Sequence, residues 1–328
     1  MVTKQGCTVY PVIVPTRRSL KSFNFYLLEK GRSLILVDGG MATNESWQAL
    51  RTTLAANGFA IDDLSGIIIT HHHHDHVGVV NNILEQKDVP IYAHPESVYR
   101  LKRDRPFLAQ RIDFFNQLYT EMGCGEEGKR QVARLKQAFR ENEKYGIKGD
   151  ILPIRNEQTL EALDFEELKA FETPGHSPDH LVFYDTQRKW LFSGDHLIRH
   201  ISSNAIVEPD REGKRIRTLI QYIHSLKQCL ALDVEKVFPG HGDQIVHFKE
   251  LVTQRLERIE VKSTKFLQLI ANGIRTADQL ARTYYKREYK HQFALVMSEV
   301  IGHLDYLEAK ARVHKVKKDG VWNYYPLE

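Results

Sequence analysis

Apolar residues fall in short runs through the first part of the chain, cut at intervals by polar and turn-forming segments. Val9 to Ile13, Phe23 to Glu29 and Ser33 to Asp38 are rich in β-branched and aromatic side chains. They are separated by PTRRSLK and KGR, which predicts successive strands joined by hairpins. The period then changes: NESWQALRTTLAANGF spaces its apolar residues as a helix does, with Asn44 as cap and Gly58 as stop, and LSGIIIT follows as a buried strand. A second helix-then-strand step, VVNNILEQKDV into PIYAHPE, gives this region the alternation of an α/β layer.

From about residue 97 to 150 the strand signal is lost. RLKRDRPFLAQRIDFFNQLYTEMG and EEGKRQVARLKQAFRENEKYG are charged, aromatic-bearing and helix-periodic, the pattern of a helical insertion. Its role stays open between a lid over a site and packing on the sheet or on a second copy of the chain. Strand patterns return in ILPI, LEALDFEELKAFET, HLVFYDTQRKWLFSGD and VEKVFPGHG, each closing on a polar cluster. Beyond them a helix is predicted from Phe248 to about Ala271. TADQLARTYY follows behind a Thr276 cap, then the amphipathic HQFALVMSEVIGHLDYLEAKARV, then VHKVKKDGVWNYYPL, a hairpin turning at Asp319 and Gly320. Helix, helix, helix, hairpin is the order of a winged helix. The expected division is therefore a sheet-bearing unit over 1–250 and a small winged-helix-like unit over 251–328.

A chain of 328 residues suits one large unit and one small one. With 42% apolar and 27% charged residues the composition is that of a soluble globular protein and excludes a disordered chain. The first residues lack the apolar core of a signal peptide and no segment approaches the length of a membrane span. A cytoplasmic protein with no membrane partner is expected. Cys7, Cys124 and Cys229 are too few and too scattered for a disulfide framework or a paired-cysteine zinc knuckle. A net charge of +4 is too small to argue for nucleic acid, but residues 255–328 carry 14 Lys and Arg against 9 Asp and Glu. KVKKDG beside Trp322, Tyr324 and Tyr325 suits either a nucleic-acid backbone or a packing module. The few basic residues on the third helix favour packing.

The chemistry is concentrated in THHHHDHVG, from Thr70 to Gly78, which holds five of the 16 histidines. Along extended backbone His71 and His73 share one side and His72 and His74 the other, with Asp75 and His76 following as a carboxylate and imidazole pair. The run thus has donors for two metals. Three later stretches repeat the build of a ligand-type residue beside Gly or Pro at a strand end: Thr173-Pro-Gly-His176, Ser193-Gly-Asp195 and Pro239-Gly-His241-Gly242. Glycine there lets backbone approach a crowded centre. A histidine run that follows a buried strand and has such partners downstream is neither a tag nor a solvated loop.

H-x-H-x-D-H from His71 to His76, followed in order by His176, Asp195 and His241, resembles the metallo-β-lactamase superfamily. Asp38 in LILVDGG resembles that superfamily's first motif, and the likeness covers about residues 8–250. It implies an α/β fold, a four-layer αββα sandwich carrying the helical insertion and the winged-helix-like terminal unit. It further implies that His71, His73 and His176 hold a first metal and Asp75, His76 and His241 a second, with Asp195 bridging. Without thiolates the set suits two Zn²⁺, while Mn²⁺ and Fe accept the same donors. The implied reaction is hydrolysis by a hydroxide shared between the metals. Asp75 also orients that hydroxide, and Asp38 fixes the histidine loop rather than binding metal.

His196, directly after Asp195, is a further candidate as proton donor to a leaving group, set against a packing role. His72, His74, His180 and His200 are expected to pack or to support the ligands from behind rather than to bind metal. With its terminal unit the chain also resembles the hydroxyacylglutathione-hydrolase group of lactamase-like proteins, some of which are endoribonucleases on single strands. The resemblance implies a hydrolase of esters, thioesters or lactones acting on a small-molecule acyl substrate. The alternatives are a metal-dependent endoribonuclease or phosphodiesterase on single-stranded nucleic acid, and a metal-binding sensor with little turnover. A homodimer stays open. β-Lactamase activity is not expected, since β-lactamases generally have cysteine where Asp195 stands.

Overall fold

In the computed structural model, which describes residues 1–17, 19–141 and 145–327, the first apolar runs pair in sequence order. β1 (Val2–Lys4), β2 (Cys7–Pro15), β3 (Ser22–Lys30), β4 (Ser33–Val37), β5 (Leu64–Ile68), β6 (Ile91–Ala93) and β7 (Ile151–Pro153) form one sheet. Pairing is antiparallel from β1 to β4 and parallel from β4 to β7. β8 (Thr159–Leu160), β9 (Phe165–Glu172), β10 (Leu181–Asp185), β11 (Trp190–Gly194) and β12 (Lys236–Pro239) form a second sheet in the order β12-β11-β10-β9-β8. Only β11 and β12 pair in parallel there.

Burial on both faces fixes the layers. Val9, Tyr26, Leu28 and Val37 of the first sheet meet Leu168, Phe183, Phe192 and Phe238 of the second in one core. On the outer face of the first sheet, α1 (Asn44–Ala56) and α2 (Val80–Leu84) place Leu50, Leu54, Val80 and Ile83 on Val12, Phe25 and Leu36. Between β6 and β7 lie α3 (Pro95–Leu101), α4 (Arg105–Glu121) and α5 (Gly125–Glu141); residues 142–144 of the expected insertion lie outside the described residues. On the outer face of the second sheet, α6 (Thr218–Cys229) and α7 (Phe248–Ala271) cover Val182, Leu191 and Val237 with Leu219, Leu226 and Val252. Helix, sheet, sheet, helix is the expected sandwich.

The terminal segment is α8 (Ala277–Tyr285), α9 (Arg287–His291), α10 (Phe293–Ala309), β13 (Val313–Lys318) and β14 (Val321–Pro326). Thr276 caps α8 in a capping box with Gln279, as the sequence indicates, whereas α1 is capped by Thr43 rather than Asn44. The Thr43 hydroxyl accepts from the Ser46 amide, and Asn44 becomes the first helical residue. At the hairpin turn Asp319 and Gly320 both have positive φ, 48° and 80°, as a two-residue turn that follows strand twist requires.

Among the described residues the insertion packs on the first sheet only at its two ends, through Leu101 and Ile147, and its long helices turn elsewhere. α10 buries residues around its whole circumference, including Phe293, Val296, Met297, Val300, Ile301 and Leu304, more apolar surface than a small terminal unit encloses. α4 and α5 close that surface: Phe115, Leu118, Tyr119 and Val132 share one core with Phe266, Leu280, Tyr289, Leu304 and Tyr324. Among the described residues no helix is long and apolar enough to cross a membrane.

Leu304→Ala is expected to cost about 2–5 kcal/mol and to lower hydrogen-exchange protection in α4 and α10 together. Loss confined to α10 would contradict the shared core. His303 lies in the same region with its Nδ1 2.8 Å from the Ser263 hydroxyl, and burial pushes its imidazole down to about 4 from 6.5. The unfolded chain therefore binds this proton first on acidification, so stability is lost as pH falls from about 6.5 to about 4. His303→Gln is expected to flatten chemical-denaturation stability over that window.

Candidate metal centre

Five strand ends meet at one edge of the sandwich. Asp38 follows β4, the histidine run follows β5, His176 follows β9, Asp195 follows β11 and His241 follows β12. Backbone bonds hold these ends together: the Leu181 amide donates to the Thr70 carbonyl at 2.7 Å, the Gly240 amide to the Gly194 carbonyl at 2.8 Å, and the Asn24 amide to the Gly240 carbonyl at 2.8 Å. Gly240 is required by this crowding, because a Cβ there would stand 2.6 Å from His76 Cε1 and 2.8 Å from Asp195 Oδ1. Gly240 thus has the purpose its sequence context suggested, whereas Gly175 makes room for Tyr222, Gly194 for Thr70 and Gly242 for His200.

The seven predicted donors converge. His73 Nδ1 lies 2.9 Å from His71 Nε2 and 3.0 Å from His176 Nε2. Beside them Asp195 Oδ1 lies 3.3 Å from His76 Nε2 and 3.1 Å from His241 Nε2, while its Oδ2 lies 3.5 Å from His176 Nε2. Asp75 Oδ2 completes the second group, 3.5 Å from His241 Nε2. Asp195 therefore presents one oxygen to each group. Ligand atoms in the sets His71/His73/His176, His71/His76/Asp195 and Asp75/His76/His241 each fall within 4.8 Å of one another.

Outer hydrogen bonds fix the tautomers. His76 Nδ1 meets Asp38 Oδ2 at 2.7 Å, His176 Nδ1 meets the Asn204 carbonyl at 2.9 Å, and His241 Nδ1 meets the Ser22 carbonyl at 2.8 Å. Acceptors of this kind require the proton on Nδ1. The Thr70 hydroxyl donates to Asp38 at 2.8 Å, so it accepts from His71 Nδ1 at 3.0 Å. In all four rings the Nε2 lone pair is left facing the centre. Asp38 also accepts from the Thr70 amide at 2.8 Å, and at φ 60° it ends β4 in a left-handed turn. It holds the loop from behind, as the sequence expectation has it.

These residues fit metal ions. His76 Nε2, Asp195 Oδ1 and His241 Nε2 are buried with no hydrogen-bond partner, although they lie near one another. Lone pairs aimed at one another at about 3 Å repel unless a proton or a metal cation stands between them, and three donors around a tetrahedral zinc would sit about 3.3 Å apart. The electrostatics agree. Burial and the surrounding imidazoles, His76 first, push His71 well below its ordinary range, and burial with His72 and His176 does the same to His73, so both are neutral, the form in which imidazole can bind a metal. Burial opposes charge on His76 as well, but Asp195 and Asp38 outweigh it and raise that imidazole. Burial likewise opposes charge on Asp195, and His241 and His76 outweigh it and hold the carboxyl well below its usual value. The pocket stabilises positive charge where Asp75, His76, Asp195 and His241 meet.

His196 is not brought into this group. It is fully buried under α6 with Nε2 3.5 Å from Cys229 Sγ and its ring 5.4 Å from Tyr222, and burial pushes it down to about 3. This is the packing placement. His200 bonds away from the centre, its Nε2 donating to the Ser19 carbonyl at 2.8 Å. His180 does more than pack: its Nε2 accepts from the Asp195 amide at 3.1 Å, with Nδ1 2.9 Å from the Thr173 hydroxyl. Sequence reasoning missed Asp179, which is fully buried and accepts from the His72 amide at 2.9 Å and from Ser97 Oγ at 2.5 Å, with His72 Nδ1 at 2.7 Å. An acid and a histidine placed directly after the PGHS turn were the available signal.

The loop between Asp195 and α6 supports His176 and is itself tied to the terminal helices. Arg255 of α7 places Nη2 2.9 Å from the carbonyls of Ile198, Arg199 and Ile201. The Asn204 side chain donates to the Leu295 carbonyl of α10 at 2.9 Å, and the Val207 amide to Ser298 Oγ at 3.1 Å.

Comparison with known proteins agrees with this geometry. The model of the metallo-beta-lactamase superfamily matches residues 22–241, a span that contains Asp38 and all seven donors. The chain is 28% identical over 306 residues to the probable metallo-hydrolase YqjP of Bacillus subtilis, covering 93% of each. It is 22% identical over 259 residues to an atrochrysone carboxyl ACP thioesterase of Aspergillus fumigatus, 79% of this chain and 62% of that one. Among solved structures, a metallo-beta-lactamase family protein from Thermus thermophilus superposes with a TM-score of 0.78 at 23% identity, over 97% of this chain and 98% of that one.

Asp38→Asn keeps a side chain that tolerates the left-handed backbone but weakens the acceptor behind His76. Metal retention under chelator competition is expected to fall about 10- to 100-fold, with the circular dichroism spectrum unchanged. Retention equal to the parent protein would remove Asp38 from the centre.

Proposed function

The chain belongs to the metallo-beta-lactamase superfamily, and on that premise we propose that it is a two-metal hydrolase of a small acyl substrate, an ester, thioester or lactone. The observation that carries this reading is the meeting of three buried, unpartnered donor atoms on His76, Asp195 and His241 beside the His71, His73 and His176 group. His71, His73 and His176 would hold one ion and Asp75, His76 and His241 the other, with Asp195 giving an oxygen to each. Bound there, the two ions supply an acidified water and polarise a carbonyl oxygen. An imidazole and carboxylate set without thiolate suits Zn²⁺, with Mn²⁺ or Fe as alternatives.

Asp75 is the more open carboxylate of the centre, its side chain 14% exposed against 9% for Asp195. It accepts a hydrogen bond from the attacking water and sets its direction, while His71, His76, His176 and His241 are kept rigid by their outer partners. A thioester is favoured within the acyl class by the relative named as an ACP thioesterase. Three buried cysteines free of disulfides suit a reducing compartment such as the cytoplasm.

The basic hairpin supports packing over nucleic-acid binding. Lys317 pairs with Glu121 of α4 at 2.8 Å, Trp322 Nε1 donates to the same carboxylate at 3.0 Å, and Lys315 pairs with Glu308 at 3.0 Å. Lys315 and Lys317 also lie 5.2 and 5.1 Å from the Trp322 ring centre. The engagement of Lys315, Lys317 and Trp322 within the molecule supports the packing role.

Metal-loaded protein is expected to hydrolyse a thioester or lactone and to lose activity to chelator and regain it on metal return. Asp75→Asn is expected to lower kcat about 100- to 10,000-fold. Cleavage of single-stranded RNA with a steep salt dependence, and none of the acyl compounds, would overturn the reading.

A further inference from the structure

The histidine loop has a second face. His72 and His74, on the side away from the first metal group, line a cavity of about 540 Å³ that is walled also by Trp47 at the start of α1, Glu85 beyond α2, and Arg100, Arg103 and Lys148. That volume suits a ligand of small-molecule size. His74 is exposed and stands between His73 and Asp75 in sequence, so the cavity borders the loop through the chain neighbours of His71, His73 and Asp75, with none of the seven donor side chains in its wall.

Its wall carries three cations and one acid, and two of the cations are already engaged. Lys148 Nζ donates to Glu85 Oε1 at 3.0 Å. Arg100 donates through Nη1 to the Glu96 carbonyl at 3.1 Å and to the Tyr99 hydroxyl, and through Nη2 to the Pro209 carbonyl at 3.1 Å. Arg103 is different: among the described residues its guanidinium has no hydrogen bond or ion pair, and its Nε is buried without a partner. Burial and then the neighbouring Arg111 charge pull its pKa down, the mark of a cation held without an anion. Arg111 itself is committed to Glu208.

Backbone chemistry does not ask for arginine at this position. The Arg103 amide donates to the Arg100 carbonyl at 3.2 Å and the Asp104 amide to the Tyr99 carbonyl at 2.9 Å, the paired bonds that close a helix at a left-handed residue. Arg103 is that residue, with φ 56°, where glycine is the unstrained choice. A strained, half-buried and unpaired guanidinium facing a cavity is costly for stability alone.

We propose that this cavity is an anion subsite in which Arg103 binds a carboxylate or phosphate carried by the acyl substrate, remote from the bond that is cleaved. Trp47 and Leu101 add apolar wall to the same cavity, so the ligand class is an amphipathic anion: a dicarboxylic half-thioester, or a thioester whose thiol carrier bears phosphate. The inference takes from the function proposed above only that the reacting end is an acyl group.

Arg103→Gly removes the guanidinium and relieves the backbone, so it separates binding from folding. On metal-loaded protein, paired substrates locate the anion: glutaryl against pentanoyl N-acetylcysteamine thioester, and acetyl-coenzyme A against acetyl N-acetylcysteamine. Arg103→Gly is expected to raise KM about 10- to 100-fold for the charged member of one pair, with kcat and the uncharged member unchanged. The glutaryl pair would place the anion on the acyl side and the coenzyme A pair on the thiol side. Equal treatment of charged and uncharged members by both proteins would overturn the subsite. Thermal shift with glutarate or with coenzyme A gives a reading independent of turnover: a stabilisation seen in the parent and lost in Arg103→Gly supports the subsite even if no thioester is hydrolysed, whereas no stabilisation of the parent by either overturns it.

Discussion

Lone pairs of like kind do not gather in a buried space unless each is held from outside, and that constraint governs this molecule. Every inward nitrogen of His71, His76, His176 and His241 depends on an acceptor behind the ring, supplied in turn by Thr70, Asp38, Asn204 and Ser22. Those acceptors lie on different strand ends and loops, so the centre exists only where the ends of both sheets are brought to one edge. The parallel pairing of β4 with β5 and of β11 with β12, and a residue without a side chain at Gly240, are what allow them to meet. A carboxylate such as Asp38 then does two jobs with one group, setting a tautomer and anchoring the turn that carries the ligands.

The helices added to this sandwich make a second body of structure with its own logic. α10 is too apolar for its own small unit, and α4 and α5 supply the missing cover, so the insertion and the terminal segment are stabilised as one core. That arrangement leaves α3 and the Arg103 turn at the mouth of the histidine loop rather than α4, whose aromatic face is spent inward. The part of the insertion near the chemistry is the short polar piece, not the long amphipathic one.

Much of this was legible in the sequence because metal chemistry uses few residue types at fixed strand ends. The ligand-type residues beside Gly or Pro at strand ends, the long helix from Phe248 to Ala271 and the Asp319-Gly320 turn can be read from spacing and turn chemistry, while the grouping of the seven donors and the Asp38 motif come from the family resemblance. The misses have physical causes. Thr43 and Asn44 are both good caps, and only the backbone decides between them. β1 is three residues long, too short for a period to show. The packing of α4 against α10 joins residues more than 150 positions apart along the chain, and amphipathic pattern says that a helix has a face to bury, not against what. Asp179 went unread as a support because buried polar positioning residues have no spacing rule of their own; His196 looked chemical from its neighbour Asp195, yet the chain turns its ring toward Cys229.

The carbonyl that orients His176 belongs to Asn204, and the loop bearing Asn204 is gripped by Arg255 on one helix and by Leu295 and Ser298 on another. A lineage that exchanged the last quarter of this chain for another module would inherit every donor atom and lose the scaffold beneath one of them. The direction in which one imidazole points is thereby set in part by groups on two helices that contribute no donor.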